Sequence, residues 1–201
     1  MTRARASRDA LVVVDMQNAF CDPGGAVSVP EAHAQLPRVA EAIALARDAG
    51  IAVIYTAVEW PGIDEVPLGL RQNSPRLLEE WNQSPNLGRG CWGAQISDVV
   101  APQPGDLVLT KTGFDCPGLG EIAGSLGVER VFVIGTTANN CVYAAVLALI
   151  EANLDVVAVE DCISSFNDEM KLPWLHNIAR FLGSVVTFDD YRALVGRGRV
   201  R

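Results

Sequence analysis

Short unbroken apolar runs that alternate with longer helical patterns constrain this chain most. Residues 11–14 (Leu-Val-Val-Val), 51–57, 107–110, 131–134, 155–159 and 184–187 read as strands. They are continuously apolar rather than alternating, which predicts cover on both faces of a sheet. Residues 30–48 place Leu36, Val39, Ala40, Ile43 and Ala46 along one buried helix face, and Gly50 stops the pattern. Further helical patterns span 119–126, 141–152 and 168–181. Strand, helix, strand in succession implies right-handed crossovers and parallel pairing. The expected fold is a three-layer α/β/α domain around a mainly parallel sheet of about six strands.

A chain of 201 residues buries roughly 70% of its unfolded surface. It therefore needs no disulfide or metal staple, and residues 1–201 are expected to form a single domain. The composition, 49% hydrophobic and 20% charged, excludes intrinsic disorder. Acidic residues outnumber basic ones, 24 to 16, for a net charge of −8. That balance argues against nucleic acid and against a membrane surface as partners. No apolar run approaches the about 20 residues of a membrane span. The first apolar stretch, 10–14, is too short for a signal-peptide core. A soluble, cytoplasmic protein is expected. Its cysteines (Cys21, Cys91, Cys116, Cys141, Cys162) are odd in number and include no CxxC pair, so free thiols are expected.

Residues 60–106 break the alternation. They carry Pro61, Pro67, Pro75, Pro85, Pro102 and Pro104 with Trp60, Trp81 and Trp92. Such an irregular insert serves as a lid or binding loop, or as a contact between subunits, and sequence favours neither. The basic tail (Arg197, Arg199, Arg201) is expected to fray.

In a parallel sheet, ligands bind beyond the carboxyl ends of the strands. Three reactive side chains are expected there. Asp15 closes the first strand, Lys111 ends the third, and Cys141 follows the fourth after Gly-Thr-Thr-Ala-Asn-Asn. A thiol in the first turn of a helix meets the positive end of the helix dipole, which favours the reactive thiolate. Taken alone, Cys141 fits a buried small hydrophobe equally well. Asp15 could simply cap a turn, and Lys111 could point to water. Together, an Asp base, a Lys and a Cys nucleophile make a complete set for covalent catalysis.

The segments Leu11-Val-Val-Val-Asp15-Met-Gln-Asn18-Ala-Phe20, Lys111-Thr112 and Gly135-Thr-Thr-Ala-Asn-Asn-Cys141-Val142 resemble the three signatures of the isochorismatase-like cysteine hydrolases. Residues 90–96, 102–106 and 159–166 are similar to that family as well, so the resemblance runs from Ala10 to Tyr191. It implies a Rossmann-like hydrolase acting on amide, ureido or carbamoyl C–N bonds through a thioester and releasing ammonia or an amine. It also implies a triad of Asp15, Lys111 and Cys141. A cis peptide between Thr136 and Thr137 is implied, turning the Thr137 N–H toward that of Cys141 as an oxyanion hole. Phe20, Trp60, Trp92, Asn140 and Phe166 are the candidate substrate contacts, although any one aromatic could equally be core. Cys116 is taken as an incidental thiol near the site.

Departures from the family narrow the reading. After the second strand the chain reads Tyr55-Thr-Ala-Val-Glu59-Trp60, without the histidines of the nicotinamidase metal site. His33 and His176, in helical patterns, are expected at the surface or in packing. No metal and no cofactor are expected. Ala138 and Ala19 replace residues common in the family, without touching the triad. An isochorismatase-type vinyl-ether hydrolase and a nicotinamidase are the alternatives, ahead of a non-catalytic binding subunit or a thiol redox protein. A small-molecule substrate and a homodimer or homotetramer are expected on family grounds.

Overall fold

The computed structural model describes residues 8–73, 81–84 and 86–198. Pro75, Pro85, Arg199 and Arg201 lie outside the described residues.

The first strand, β1 (Asp9–Val14), lies inside a six-stranded sheet. β2 (Ala52–Val58) and β3 (Leu107–Lys111) follow on one side. β4 (Arg130–Thr136), β5 (Asp155–Ser164) and β6 (Ser184–Val186) follow on the other. Every pairing is parallel, in the order β3-β2-β1-β4-β5-β6. The order reverses between β1 and β4. At such a switch point the flanking connections leave toward opposite faces and open a crevice at the carboxyl ends.

Helices cover both faces. α1 (Asn18–Cys21) is one short turn after β1. α2 (Pro30–Asp48) begins with Pro30 and Glu31, both favourable in a first turn, and buries Ala32, Leu36, Val39, Ile43 and Ala46. It shares a core with Leu11, Val13, Phe132, Ile134 and Val157. α3 (Leu68–Asn73) lies within the insert. On the opposite face, α4 (Leu119–Ser125), α5 (Tyr143–Glu151) and α6 (Asp168–Asn177) contribute Leu119, Val146 and Leu175 to a core with Val12, Val14, Val131 and Val133. Successive residues of β1 thus feed opposite cores, as the pleat requires. Among the described residues, no helix is long and apolar enough to cross a membrane.

Three local expectations need correction. β3 is an edge strand with one face open, and its Val108 is 49% exposed, so cover is not continuous across the sheet. The helix expected over 141–152 begins earlier, as a wide π-helical turn over Ala138–Val142 that runs into α5. A second such turn, Ile178–Leu182, ends the helical stretch after α6. Arg197 stands in a final helix, α7 (Phe188–Gly198), rather than in a frayed tail. The buried Tyr191 of α7 anchors it, donating its hydroxyl to the Ala42 carbonyl at 2.8 Å.

Gly135 sets how closely the two central strands approach at the crevice. It pairs with Val14 and has φ 122°, a backbone state that favours glycine. A Cβ there would stand 2.1 Å from the Val14 carbonyl oxygen. Gly135→Ala is therefore expected to part β1 from β4 and to lower stability by about 3 kcal/mol. Urea denaturation measures this, and an unchanged midpoint would contradict the close approach.

Candidate active site

Asp15 follows the last residue of β1 with φ 50°, the left-handed region. A non-glycine residue there costs about 1–3 kcal/mol and persists only where its surroundings dictate it. Here the Asp15 N–H donates to the Thr56 carbonyl at 3.1 Å, and the Asp15 carbonyl accepts from the Gln17 N–H at 2.8 Å. The carboxylate is fully buried. Its Oδ1 accepts the Thr56 hydroxyl at 2.7 Å, and its Oδ2 lies 2.9 Å from Lys111 Nζ.

Lys111, at the end of β3, directs its remaining ammonium hydrogens to the carbonyls of Gly113 (3.2 Å) and Phe114 (2.9 Å). The loop after β3 thus wraps the cation. Burial disfavours its charge, but Asp15 and Cys141 outweigh that, and the ammonium is held above the ordinary lysine value.

Cys141 sits in the π-helical turn beyond β4, buried, with its thiol in hydrogen-bonding reach of both Asp15 and Lys111. The three groups expected from the sequence therefore meet at one point. Their electrostatics differ from the expectation, however. Burial first, and the Asp15 charge second, push the Cys141 thiol well above its ordinary value, and Lys111 only partly offsets them. The sequence predicts a thiol poised as thiolate by the helix dipole. In the assembled site, burial and the neighbouring carboxylate favour the protonated form instead.

The Thr136–Thr137 peptide is cis. The Thr137 carbonyl accepts the N–H groups of Asn140 and Val142, at 3.1 and 3.2 Å, which closes the turn. The Thr137 N–H donates to no acceptor among the described residues.

The other candidates are spread around this centre. Asn140 is half-buried, one residue before the thiol. Phe20 is half-buried and touches two hydrophobic clusters. Trp60 is buried among Ala19, Val58, Val66 and Leu87, and its ring N–H donates to the Thr112 carbonyl at 2.9 Å. Trp92 and Phe166 are exposed, by 37% and 47%. The Cys116 thiol is buried and pushed up to about 11, chiefly by burial, within the field of Lys111 and Asp15. All five cysteines are free. His33 and His176 are both exposed. Among the described residues, no cluster of three His, Cys, Asp or Glu side chains could hold a metal.

Gln17 is a position supporting the site that sequence reasoning passed over. Its buried amide donates to the carbonyls of Val58 and Ala94, both at 2.7 Å, and accepts from the Val58 N–H at 2.8 Å. It extends the β1–β2 ladder by one side-chain rung and ties the insert to the crevice. Its place two residues after Asp15 was the available signal. The insert is stitched on elsewhere too. Trp60 pairs with Gly88, Gln17 with Ile96, and the Asn18 amide donates to the Trp92 carbonyl at 3.1 Å.

Residues 9–190 match the model of the isochorismatase domain. The chain belongs to the isochorismatase family. It is accordingly a hydrolase, as the sequence motifs implied. It is 31% identical to the ureidoacrylate amidohydrolase RutB of Pantoea ananatis, over 93% of this chain and 82% of that protein. The fold is shared with a cysteine hydrolase from Pseudomonas syringae pv. phaseolicola (TM-score 0.85, 22% identity, 95% of this chain and 93% of the other). It is shared also with the N-carbamoylsarcosine amidase of Thermoplasma acidophilum (TM-score 0.71, 26% identity, 90% of this chain and 96% of the other).

Two predictions follow from the charges. Lys111→Met leaves Asp15 buried without its counter-charge and is expected to cost about 3–5 kcal/mol of stability, most of it recovered when Asp15→Asn is added. Denaturant titration of the single and double variants measures this, and a fully stable single variant would contradict the buried pair. The raised thiol means that iodoacetamide at pH 7 should alkylate Cys141 at less than about a tenth of the rate of a free cysteine, rising with pH beyond 9. Rapid stoichiometric labelling at pH 7 would show a thiolate instead.

Proposed function

We propose that the chain is a cysteine-dependent amidohydrolase. It cleaves a C–N bond of a small amide, ureido or carbamoyl substrate and releases ammonia or an amine. The single observation that carries this reading is the convergence of the Asp15 carboxylate, the Lys111 ammonium and the Cys141 thiol in one buried cluster. The names of the relatives support it, since ureidoacrylate and N-carbamoylsarcosine both present a carbonyl bonded to nitrogen.

The chemistry follows from the charges. Cys141 rests as a thiol, because an anion beside Asp15 in a dry site is disfavoured. When a substrate carbonyl reaches the sulfur, Asp15 takes the thiol proton as the S–C bond forms, so no free thiolate accumulates. Lys111 balances the negative charge that passes from carboxylate to sulfur to carbonyl oxygen. The N–H groups of Thr137 and Cys141 receive that oxygen in the tetrahedral state. Protonated Asp15 then gives its proton to the leaving nitrogen, the C–N bond breaks, and a thioester remains on Cys141. Water, deprotonated by the same carboxylate, attacks the thioester and releases the acid, and the proton returns to the sulfur. Asn140, half-buried one residue before the thiol, carries an amide that can accept a hydrogen bond from, or donate one to, an amide or ureido group. The aromatic side chains of Phe20, Trp92 and Phe166 suit the walls of a small conjugated substrate.

The test is ammonia release from a panel of ureido acids, N-carbamoyl amino acids, carboxamides and nicotinamide, run with wild type and Cys141→Ala. Activity on a ureido or carbamoyl acid is expected. Cys141→Ala should lower it on the order of 10³-fold or more, with an unchanged unfolding curve. An active Cys141→Ala protein would overturn the reading.

A further inference from the structure

A second polar network lies at the carboxyl edge of the sheet, and the mechanism above does not use it. Glu31, in the first turn of α2, accepts the Lys171 ammonium of α6 at 2.6 Å and the Gln35 amide at 3.1 Å on its Oε1. Its Oε2 accepts the backbone N–H of Ser165 at 2.9 Å. Gln35 also donates to the Ile163 carbonyl at 3.3 Å. Lys171 and Ser165 are both buried. From Ser165 the network reaches inward, because the Ser165 hydroxyl donates to Asn139 Oδ1 at 2.8 Å. Asn139 stands in the π-helical turn, two residues before Cys141.

We propose that Ser165 is a positioning residue, which anchors the turn bearing Cys141 to the Glu31–Lys171 ion pair through Asn139. This rests on Cys141 being the nucleophile.

α2 covers one face of the sheet and α6 the other. An ion pair between them, closed over the end of β5, gives a fixed point that belongs to both layers. The bonds that shape the turn, from the Asn140 and Val142 N–H groups to the Thr137 carbonyl and from the Tyr143 N–H to the Asn140 carbonyl, lie within residues 137–143. A turn held by bonds to itself can shift as a unit, and the Ser165–Asn139 bond ties it to the residue after β5. A displacement of about 1 Å at a reacting atom costs on the order of 10²-fold in rate. The same bond divides the work of the two adjacent asparagines. The Asn139 side chain is committed to the scaffold, and Asn140, half-buried beside it, is the one left to meet a ligand.

Ser165→Ala removes the tether and leaves the backbone N–H bond to Glu31 in place, so the protein is expected to fold. Ser165→Thr keeps the hydroxyl. The two variants and wild type are compared by steady-state kinetics on the substrate found in the panel, and by hydrogen exchange read at single amides. Ser165→Ala is expected to lower kcat by about 10- to 100-fold with KM within about twofold. The Asn140 and Val142 amides should exchange about tenfold faster while the strands are unchanged. Ser165→Thr should restore both. Wild-type kcat and exchange in Ser165→Ala, in a protein whose Cys141→Ala variant is dead, would overturn the positioning role and leave the nucleophile intact. Faster exchange throughout the sheet, or a loss confined to KM, would overturn it too. The exchange arm needs no substrate, so it reads the tether separately from any failure of the hydrolase reading.

Discussion

The arrangement depends on one buried ion pair. A carboxylate with no exposed surface is tolerable in an apolar sheet only if its charge is met at once. Asp15 is met by Lys111 at 2.9 Å and by the Thr56 hydroxyl at 2.7 Å. Each partner comes from a different strand, so the pair joins β1, β2 and β3 at their carboxyl ends. The Lys111 ammonium in turn organises the backbone of 113–114 around itself. What stabilises this edge of the sheet is therefore the same ion pair on which the proposed reaction draws.

The topology supplies the remaining component. Because the strand order reverses between β1 and β4, the residue after β1 and the turn after β4 face each other across the crevice. Gly135 keeps those strands close, and Gln17 fastens the insert over the opening. The site is thus assembled from four strand ends and two connections, each held by its own backbone bonds. That rigidity matters to the proposed mechanism, in which a protonated thiol reacts only when base, sulfur and carbonyl align together, so that placement does more than a lowered thiol pKa would.

Much of this was legible in the sequence. Continuous apolar runs marked the strands, and Asp15 and Lys111 at the ends of two of them, with Cys141 a short loop after a third, gave the meeting of the three side chains through the parallel topology. α2 was readable from Pro30 to Asp48 because Pro30 opens it and Gly50 stops the pattern after it. Other features depend on contacts that no local pattern records. The Cys141 thiol is raised rather than lowered because burial and Asp15 outweigh Lys111, which only the assembled site reveals. Gln17 bonds to residues 41 and 77 positions away, and Ser165 to one 26 positions away. α7 was missed because its anchor, the Tyr191 hydroxyl, reaches a carbonyl 149 residues earlier in the chain. The exposure of β3 depends on its place at the sheet edge, which is a matter of strand order rather than of hydropathy.

The central claim is that the Cys141 sulfur becomes covalently bonded to the substrate carbonyl carbon. Acid quenching of the enzyme during turnover, followed by mass spectrometry of the peptide that carries Cys141, tests it most directly. The account predicts an added mass equal to the acyl fragment of the substrate on that peptide. The adduct should appear within the first turnover and disappear as substrate is exhausted. Sustained turnover with Cys141 unmodified at every quench time, or with the fragment on another cysteine, would contradict it.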